Sequence, residues 1–545
     1  MDESSFGRVT GVRMLAVCVF LGCWCVAADG QNGGESVDLG AIGRIRKEAL
    51  QHSQIPETVE YLTDVTGARL TGSPNIRKAQ DYAIERLKIW GILSAHREVW
   101  GPFGRGWTME RVAVNMTQPD FSPIIAYPKA WSPGTNGTIR GEAMYLDADT
   151  PTEVEKYRGK LNGKIVLLAP ARALQPNFEP QAERMSDEEL LKLANAEPPP
   201  NPPQPFRMSA EQRARAELSY AKWRLALEED AAVVIEPGFK DAGTVYVTSA
   251  VIPYPVDTPE VERAHPWDLA PPKIIPQVVI AAEQYNRMIR LIGRGIAVQL
   301  EVNVAVRFQD DDTMGYNVIG EIQGTDLAGE TAMIGASIDS WHTGTGATDN
   351  AAGAAVALDV MRILQQLKLK PRRTVRIGLW SGEEQGRYGS RAYVAEHLAS
   401  RREQAGTATG NAAFDFKPEY AGFAGYFNLD WGTGKLRGIY MQGNEAVRPI
   451  FRSWLSPLAD LGCSTLTIAN IGAGDHISFD EVGLPGFQYI RDYMEFRTRS
   501  AHTNMDVYDH VMLDDLKQSA AVAASLIYDL AMRDEKLPRK PQSAR

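Results

Sequence analysis

The chain has 545 residues, 44% of them hydrophobic and 23% charged, with a formal net charge of -10. That length is too great for one simple core, so a soluble globular protein of two domains is expected. The acidic balance, with no long basic block, excludes a nucleic-acid partner held by phosphate neutralisation.

The N-terminus reads as an export signal. Arg8 and Arg13 precede an apolar run from Met14 to Val26, and Ala27-Ala28 offers small residues for cleavage. The run is too short to span a bilayer, and no later stretch is long and apolar enough to be a transmembrane segment. A signal peptide over 1–28 and an exported protein, secreted or periplasmic, are therefore expected. Cys23, after Phe20-Leu21-Gly22, keeps a lipid-anchored form open. Of the four cysteines, Cys18, Cys23 and Cys25 lie in this leader. Cys463 is left as a small buried apolar residue, and no internal disulfide can form.

After a joint at Asn32-Gly33-Gly34, Ile42 to Trp90 has helical composition, punctuated by a turn at Gly72-Ser73-Pro74. Trp100 to Val114 carries strand-like pieces. From Phe121 to Phe308 short apolar strands predominate, among them Lys164 to Leu168 and Ile275 to Ile280. This stretch reads as an inserted β-rich domain. Within it, Pro198 to Pro205 is an expected exposed loop, Ala210 to Ala231 a helix with a solvated charged face, and Glu283 to Gly293 a second helix. From Asn317 strands and helices alternate, which predicts an α/β fold with a mostly parallel sheet flanked by helices. The main domain is then discontinuous, 40–120 and 309–535. Its last helix, Leu513 to Met532, has an apolar stripe suited to closing one face. A charged tail over 536–545 is expected to be loose.

Three strand-like runs end at carboxylates. Thr331 to Ile334 leads through Ser337 and Asp339 to Asp349, just before a helix expected from Ala354 to Leu367 with Asn350 as its cap. Thr374 to Trp380 ends in Ser381-Gly382-Glu383-Glu384. Gly422 to Leu429 ends in Asp430. The ends of sheet strands are where open α/β proteins hold their ligands. Zinc sites take Asp, Glu and His, and catalytic ones leave a position open for water. Asp349, Glu384, Asp430 and the late His502 are candidate ligands, with Glu383 free for proton transfer.

The motifs Thr348-Asp349-Asn350, Gly382-Glu383-Glu384, Asn428-Leu429-Asp430, Gly474-Asp475-His476 and His502-Thr503-Asn504 follow one another along the chain. In these the chain resembles the co-catalytic zinc aminopeptidase family, which includes bacterial leucine aminopeptidases and plasma glutamate carboxypeptidase. The similarity runs from about Ile42 to Lys536 and is strongest from Thr331 to His510. The resemblance implies a zinc exopeptidase-like fold, a peptide substrate, two zinc ions, and a protease-associated domain as the insert at 121–308. It implies that Asp349 bridges both metals, that Asp430 and His502 complete one site, that Glu384 serves the other, and that Glu383 is the general base. Asp339, His342, Asp475 and His476 are expected to bind substrate or support the ligands. For His476 a satisfied core histidine is an equal reading.

One position departs from the family pattern. Where the family has His-x-Asp, this chain has Ser337-Ile338-Asp339. A hydroxyl is a poor zinc ligand, so one of the two sites is expected to be weakened, with Asp339 left without the imidazole it would orient. The expectation is a secreted, metal-dependent aminopeptidase or dipeptidase. Its rivals are a catalytically impaired homologue that binds peptides and an enzyme of the same fold acting on other amide-like groups.

Overall fold

The computed structural model describes residues 35–200, 207–402 and 414–540. The expected leader and part of the proline-rich loop, 201–206, lie outside them. In chain order the strands are β1 (His96–Trp100), β2 (Gly106–Gln118), β3 (Ser122–Ile124), β4 (Ala126–Pro128), β5 (Ile139–Tyr145), β6 (Ile165–Leu167), β7 (Val233–Pro237), β8 (Gln277–Ile280), β9 (Gln299–Gln309), β10 (Gly315–Ile322), β11 (Leu327–Ser337), β12 (Arg373–Trp380), β13 (Ala399–Arg401), β14 (Phe414–Phe416), β15 (Phe423–Asn428), β16 (Leu436–Tyr440), β17 (Thr465–Thr467) and β18 (Gly486–Arg491).

The first sheet runs β1-β10-β12-β11-β15-β18-β16-β17. Its centre is parallel: β12, β11, β15 and β18 point the same way, while β1, β10 and β16 join antiparallel. Central parallel strands are covered on both faces, and these read accordingly: β15 is buried throughout and mostly apolar, and β12 is buried and apolar from Ile377 to Trp380. One face is covered by the helices Leu39–Gln51, Ala352–Gln366 and Leu513–Met532, whose side chains join the largest core cluster. On the other, Trp380, Tyr393, Tyr426 and Phe479 form an aromatic layer.

Two helices on the first face are more enclosed than an apolar stripe implies. Every residue from Gln518 to Ala531 is buried, and so is every residue from Ala352 to Leu364. Runs of alanine make this possible, because a methyl side chain lets helix axes approach closely on any side. The helix after Asp349 begins at Ala352, two residues earlier than expected. There Gly353 is required: a Cβ on it would lie 2.3 Å from the Leu429 carbonyl oxygen. The helix start is thus pressed against the end of β15.

The second sheet runs β3-β2-β9-β5-β6-β7-β8-β4. Strand β2, which precedes the expected start of the insert at 121, ladders along β9 from Gly106 to Gln118. The helix Ala210–Glu228 starts on a reciprocal cap between Ser209 and Gln212. It lays Trp223, Leu225 and Ala226 on the sheet and keeps Glu211 and Arg215 in solvent. The helix Ala282–Ile292 covers the opposite side through Tyr285 and Met288.

The start of the tail expected to be loose is tied down. Leu537 is buried, Pro538 accepts a hydrogen bond from Asn444, and Lys540 pairs with Asp480 at 2.5 Å. The charges there meet partners across the chain, which composition alone does not reveal. No described helix is long and apolar enough to cross a membrane.

Candidate metal centre

Strands β11, β12 and β15 are neighbours and parallel, so their C-terminal ends open on one edge of the sheet. The loop after β11 carries Asp339, Trp341 and His342 before reaching Asp349. It is fastened by Arg69, whose buried guanidinium donates to the carbonyls of Ile338, Leu62, Thr345 and Gly346 at 2.7–2.9 Å. After β12, Gly382 takes a left-handed conformation (φ +73°) that other residues resist, and the chain turns so that Glu383 and Glu384 follow at the strand end. Asp339 sits under this turn. Its carboxylate accepts from the backbone N–H groups of Glu383 (3.3 Å) and Glu384 (3.2 Å) and from the Thr71 hydroxyl (2.9 Å). With no imidazole at 337 to orient, Asp339 holds the backbone beneath the two glutamates instead.

The structure brings Asp349, Glu384 and His502 together. His502 Nε2 lies 3.1 Å from Asp349 Oδ2 and 3.1 Å from Glu384 Oε2. One donor atom from each of the three falls within 4.8 Å of the others. This grouping differs from the expected one, in which His502 joined Asp430 and Glu384 stood apart. Glu384 and His502 approach Asp349 from the same side. Asp430 lines the same cavity outside this group of three, and its Oδ1 accepts from the Trp431 N–H at 2.7 Å.

Ser337 ends β11, beside the strand β15 that leads to Asp430. Its hydroxyl accepts from Asn350 Nδ2 at 3.0 Å, and the same amide donates to the Leu429 carbonyl at 2.9 Å. Asn350 Oδ1 in turn accepts from the Gly353 N–H at 3.0 Å and so caps the helix. Ser337 is thus part of a satisfied neutral chain of hydrogen bonds.

The acids form an unusual concentration. Asp339, Asp349, Asp430, Asp475 and Asp506 are buried, and the Glu384 side chain is 5% exposed. Burial first, and then the neighbouring acids, drives Glu383 and Asp430 well above the ordinary carboxylate range. The same causes lift Glu384 to about 8. Burial raises Asp475 and Asp506 to about 7 and Asp339 to about 6. For His502, burial pulls the imidazolium down, but Glu384 and Asp349 outweigh it and hold it well above its ordinary value. Among the described residues no lysine or arginine forms an ion pair with any of these acids.

A divalent cation fits this arrangement. Two carboxylates and one imidazole at such separations are a donor set that zinc takes in catalytic sites. Arg69, Arg387 and Arg491 act on the buried acids through charge without pairing with them, and with His502 they leave the cluster short of the positive charge that burial of so many carboxylates requires. Asp349, Glu384 and His502 line a cavity of about 520 Å³, together with Glu383 and Asp430, so one side of the donor set stays open. Trp431, Arg387, Ala473 and His502, all on this cavity, have left-handed backbones (φ +58° to +69°), a strain that folds keep at working sites.

Other candidates lie apart. His342 is buried, with Nε2 2.7 Å from the Pro128 carbonyl oxygen and its ring against Trp107. His476 is buried, held to the Ile471 carbonyl oxygen at 3.2 Å, and burial pulls its imidazolium down to about 3. Its Nδ1 has no hydrogen-bond partner among the described residues. Asp475 is buried beside it and acts on Glu383 and Asp430 through charge. Sequence reasoning missed Arg69, Asp506 and Tyr246. Asp506 Oδ1 accepts from the Thr348 N–H at 2.6 Å, and Tyr246 meets His502 Nδ1 at 3.2 Å. Asp506 lies close after His502 in the sequence, which is a usable signal. Arg69 and Tyr246 carry none, since their partners are distant in the chain.

The model of Peptidase family M28 matches residues 317–527. Human carboxypeptidase Q is 28% identical over 270 residues, 49% of this chain and 52% of that protein. Aminopeptidase YwaD of Bacillus subtilis is 23% identical over 254 residues, 45% of this chain and 51% of that protein. The match thus spans about half the length of these relatives. The crystal structure of a peptidase M28 precursor from Shewanella amazonensis superposes with a TM-score of 0.63 at 21% identity, over 92% of this chain and 99% of that one. The zinc aminopeptidase of Bacillus subtilis gives a TM-score of 0.53 at 16% identity, over 91% and 98%. These likenesses are of fold: the sheets flanked by helices are those of M28 peptidases. The matched residues include Ser337, Asp349, both glutamates, Asp430 and His502.

Proposed function

We propose that the protein is an exported, zinc-dependent exopeptidase, an aminopeptidase or dipeptidase, with one strong metal site and one weak one. The observation that carries this reading is the convergence of Asp349, Glu384 and His502 on one side of a cavity that Glu383 also lines. Asp349, Glu384 and His502 hold the strong site. The weak site has Asp349 and Asp430 but only the Ser337 hydroxyl, already engaged by Asn350, where an imidazole is needed. The ion, when bound, supplies Lewis acidity that brings the ionisation of a water near neutrality and polarises the scissile carbonyl.

The residues do the rest. Glu383 takes a proton from the attacking water and passes it to the leaving amine. Glu383 lines the same cavity as Asp349, Glu384 and Asp430, which puts its carboxylate beside the place where the water would be held. Asp339 fixes the backbone of both glutamates, so base and ligand keep a constant relation. The second sheet serves as a protease-associated insert that walls one side of the cleft and favours substrates with a free end. Export rests on the leader read at 1–28.

The test is zinc analysis of freshly purified protein, joined to a panel of aminoacyl amides, N-blocked peptides and unblocked dipeptides. Bound zinc with turnover of substrates carrying a free amine is the expected result. A protein that holds no zinc, or holds it without turning over any member of the panel, is the peptide-binding homologue.

A further inference from the structure

The segment after β7 leaves the second sheet and returns to the metal centre. Between Gly243 and Val247 it pairs with the stretch that carries His502. The Val247 N–H donates to the His502 carbonyl at 3.1 Å, and the Asn504 N–H donates to the Val245 carbonyl at 3.3 Å. Asn504 closes the pairing with its side chain, accepting from the Val245 N–H at 2.7 Å and donating to the Gly243 carbonyl at 3.3 Å. His502 itself has a left-handed backbone (φ +58°), unfavourable for a residue with a Cβ. The pairing on both sides of it holds that conformation in place.

At the centre of this pairing the Tyr246 hydroxyl lies 3.2 Å from His502 Nδ1. This is the one hydrogen bond of that hydroxyl among the described residues. The two rings are 5.4 Å apart, and Phe239 backs Tyr246 at 4.3 Å. A histidine that offers Nε2 to a metal keeps its proton on Nδ1, and the group accepting that proton fixes both tautomer and ring plane. His502 Nε2 is the atom that faces Asp349 and Glu384. The Tyr246 oxygen is therefore placed to accept from the opposite nitrogen.

We propose that Tyr246, delivered by the second sheet, is a positioning residue for the metal ligand His502, so that the strong site is complete only when that sheet is docked. This rests on the zinc reading of Asp349, Glu384 and His502, but its test needs no peptidase activity. Zinc affinity is measured by competition with a chromophoric chelator on the full chain, for wild type, Tyr246→Phe and Phe239→Ala. Tyr246→Phe keeps the ring and the backbone pairing and removes only the acceptor. Its zinc dissociation constant is expected to rise about tenfold or more, with the melting temperature of the metal-free protein unchanged. Phe239→Ala is expected to leave the zinc constant as in wild type. Equal constants for Tyr246→Phe and wild type overturn the proposal, as does an equal loss in Phe239→Ala, which assigns the effect to packing. A wild type that binds zinc and hydrolyses nothing defeats the exopeptidase reading while leaving Tyr246 in its role.

Discussion

Two polar clusters on the first sheet differ in how their charges are answered. Near β10 and β12, Glu98, Glu321 and Glu419 meet Arg376 and His397: Arg376 binds Glu321 at 2.5 Å and Glu419 at 2.8 Å, and His397 bridges Glu98 and Glu419 at 3.1 and 3.2 Å. His397, Arg376 and Glu419 are each shifted toward their charged forms. Hydrogen bonding to the two glutamates raises His397 to about 9, and His397 with Arg376 lowers Glu419 to about 2. At the strand ends Glu383, Glu384 and Asp430 are instead pushed toward their neutral forms, and among the described residues His502 is the one ion-pair partner in the cluster. A cluster that satisfies itself stabilises the fold. A cluster left short of positive charge is built for a cation that comes from outside.

The largest effect that can sharpen this contrast is chemical. Glu383→Gln should lower kcat by about 10²–10⁴-fold, with zinc content unchanged; steady-state kinetics beside elemental analysis decide it, and retained turnover removes Glu383 as the base. Next comes Ser337→His. The new imidazole competes with the Asn350 amide and gives Asp430 the partner it lacks, so zinc per chain should rise from about one toward about two, and hydrolysis with it. Unchanged occupancy would sink the account of the weak site.

Smaller effects test the sign of the charge argument. Asp430→Asn should stabilise the metal-free protein by about 1 kcal/mol or more, because it removes a carboxylate that burial disfavours. Glu419→Gln, in the balanced cluster, should destabilise it by about 1–3 kcal/mol. The Asp430 carboxyl binds its proton more tightly folded than unfolded, so the gain in Asp430→Asn should grow as pH rises above its ordinary 3.8. Thermal melts across pH measure both, and two shifts of the same sign would erase the distinction between the clusters.

The smallest effect is that of His397→Gln, about 1–2 kcal/mol after allowance for partial exposure. The folded imidazole binds its proton more tightly than the unfolded one. Its contribution is therefore full below pH 6.5 and lost as pH rises through about 9. Glu419 works the other way: its contribution is full above pH 4.5 and lost as pH falls through about 2. The melting-temperature gap between wild type and His397→Gln should be wide at pH 6 and closed by pH 10.

Much of this centre was legible because ligand-bearing residues fall at strand ends, and strand ends can be read from apolar runs. Asp349, Glu383, Glu384 and Asp430 were found that way, and His502 by its motif. Which donors share a side of Asp349 was not legible, since order along a chain does not encode direction of approach across a sheet edge. What Asp339 holds in place of an imidazole was not legible for a related reason. Its partners are a threonine 268 residues earlier and two backbone amides, and neither kind of partner leaves a pattern in composition. The end of Leu513–Met532 that looked like one apolar face proved buried all round, because alanine contributes little to a stripe yet permits contact on every side.

The pairing between Val245–Val247 and His502–Asn504 also bears on how the molecule is made. Tyr246 leaves the ribosome more than 250 residues before His502, so the second sheet can form and wait while the rest of the chain is still being synthesised. The imidazole arrives last, meets a surface already in place, and only then can an ion be loaded. Zinc uptake during refolding should accordingly trail the burial of aromatic residues, and a shortened protein that omits the second sheet should mature without its metal.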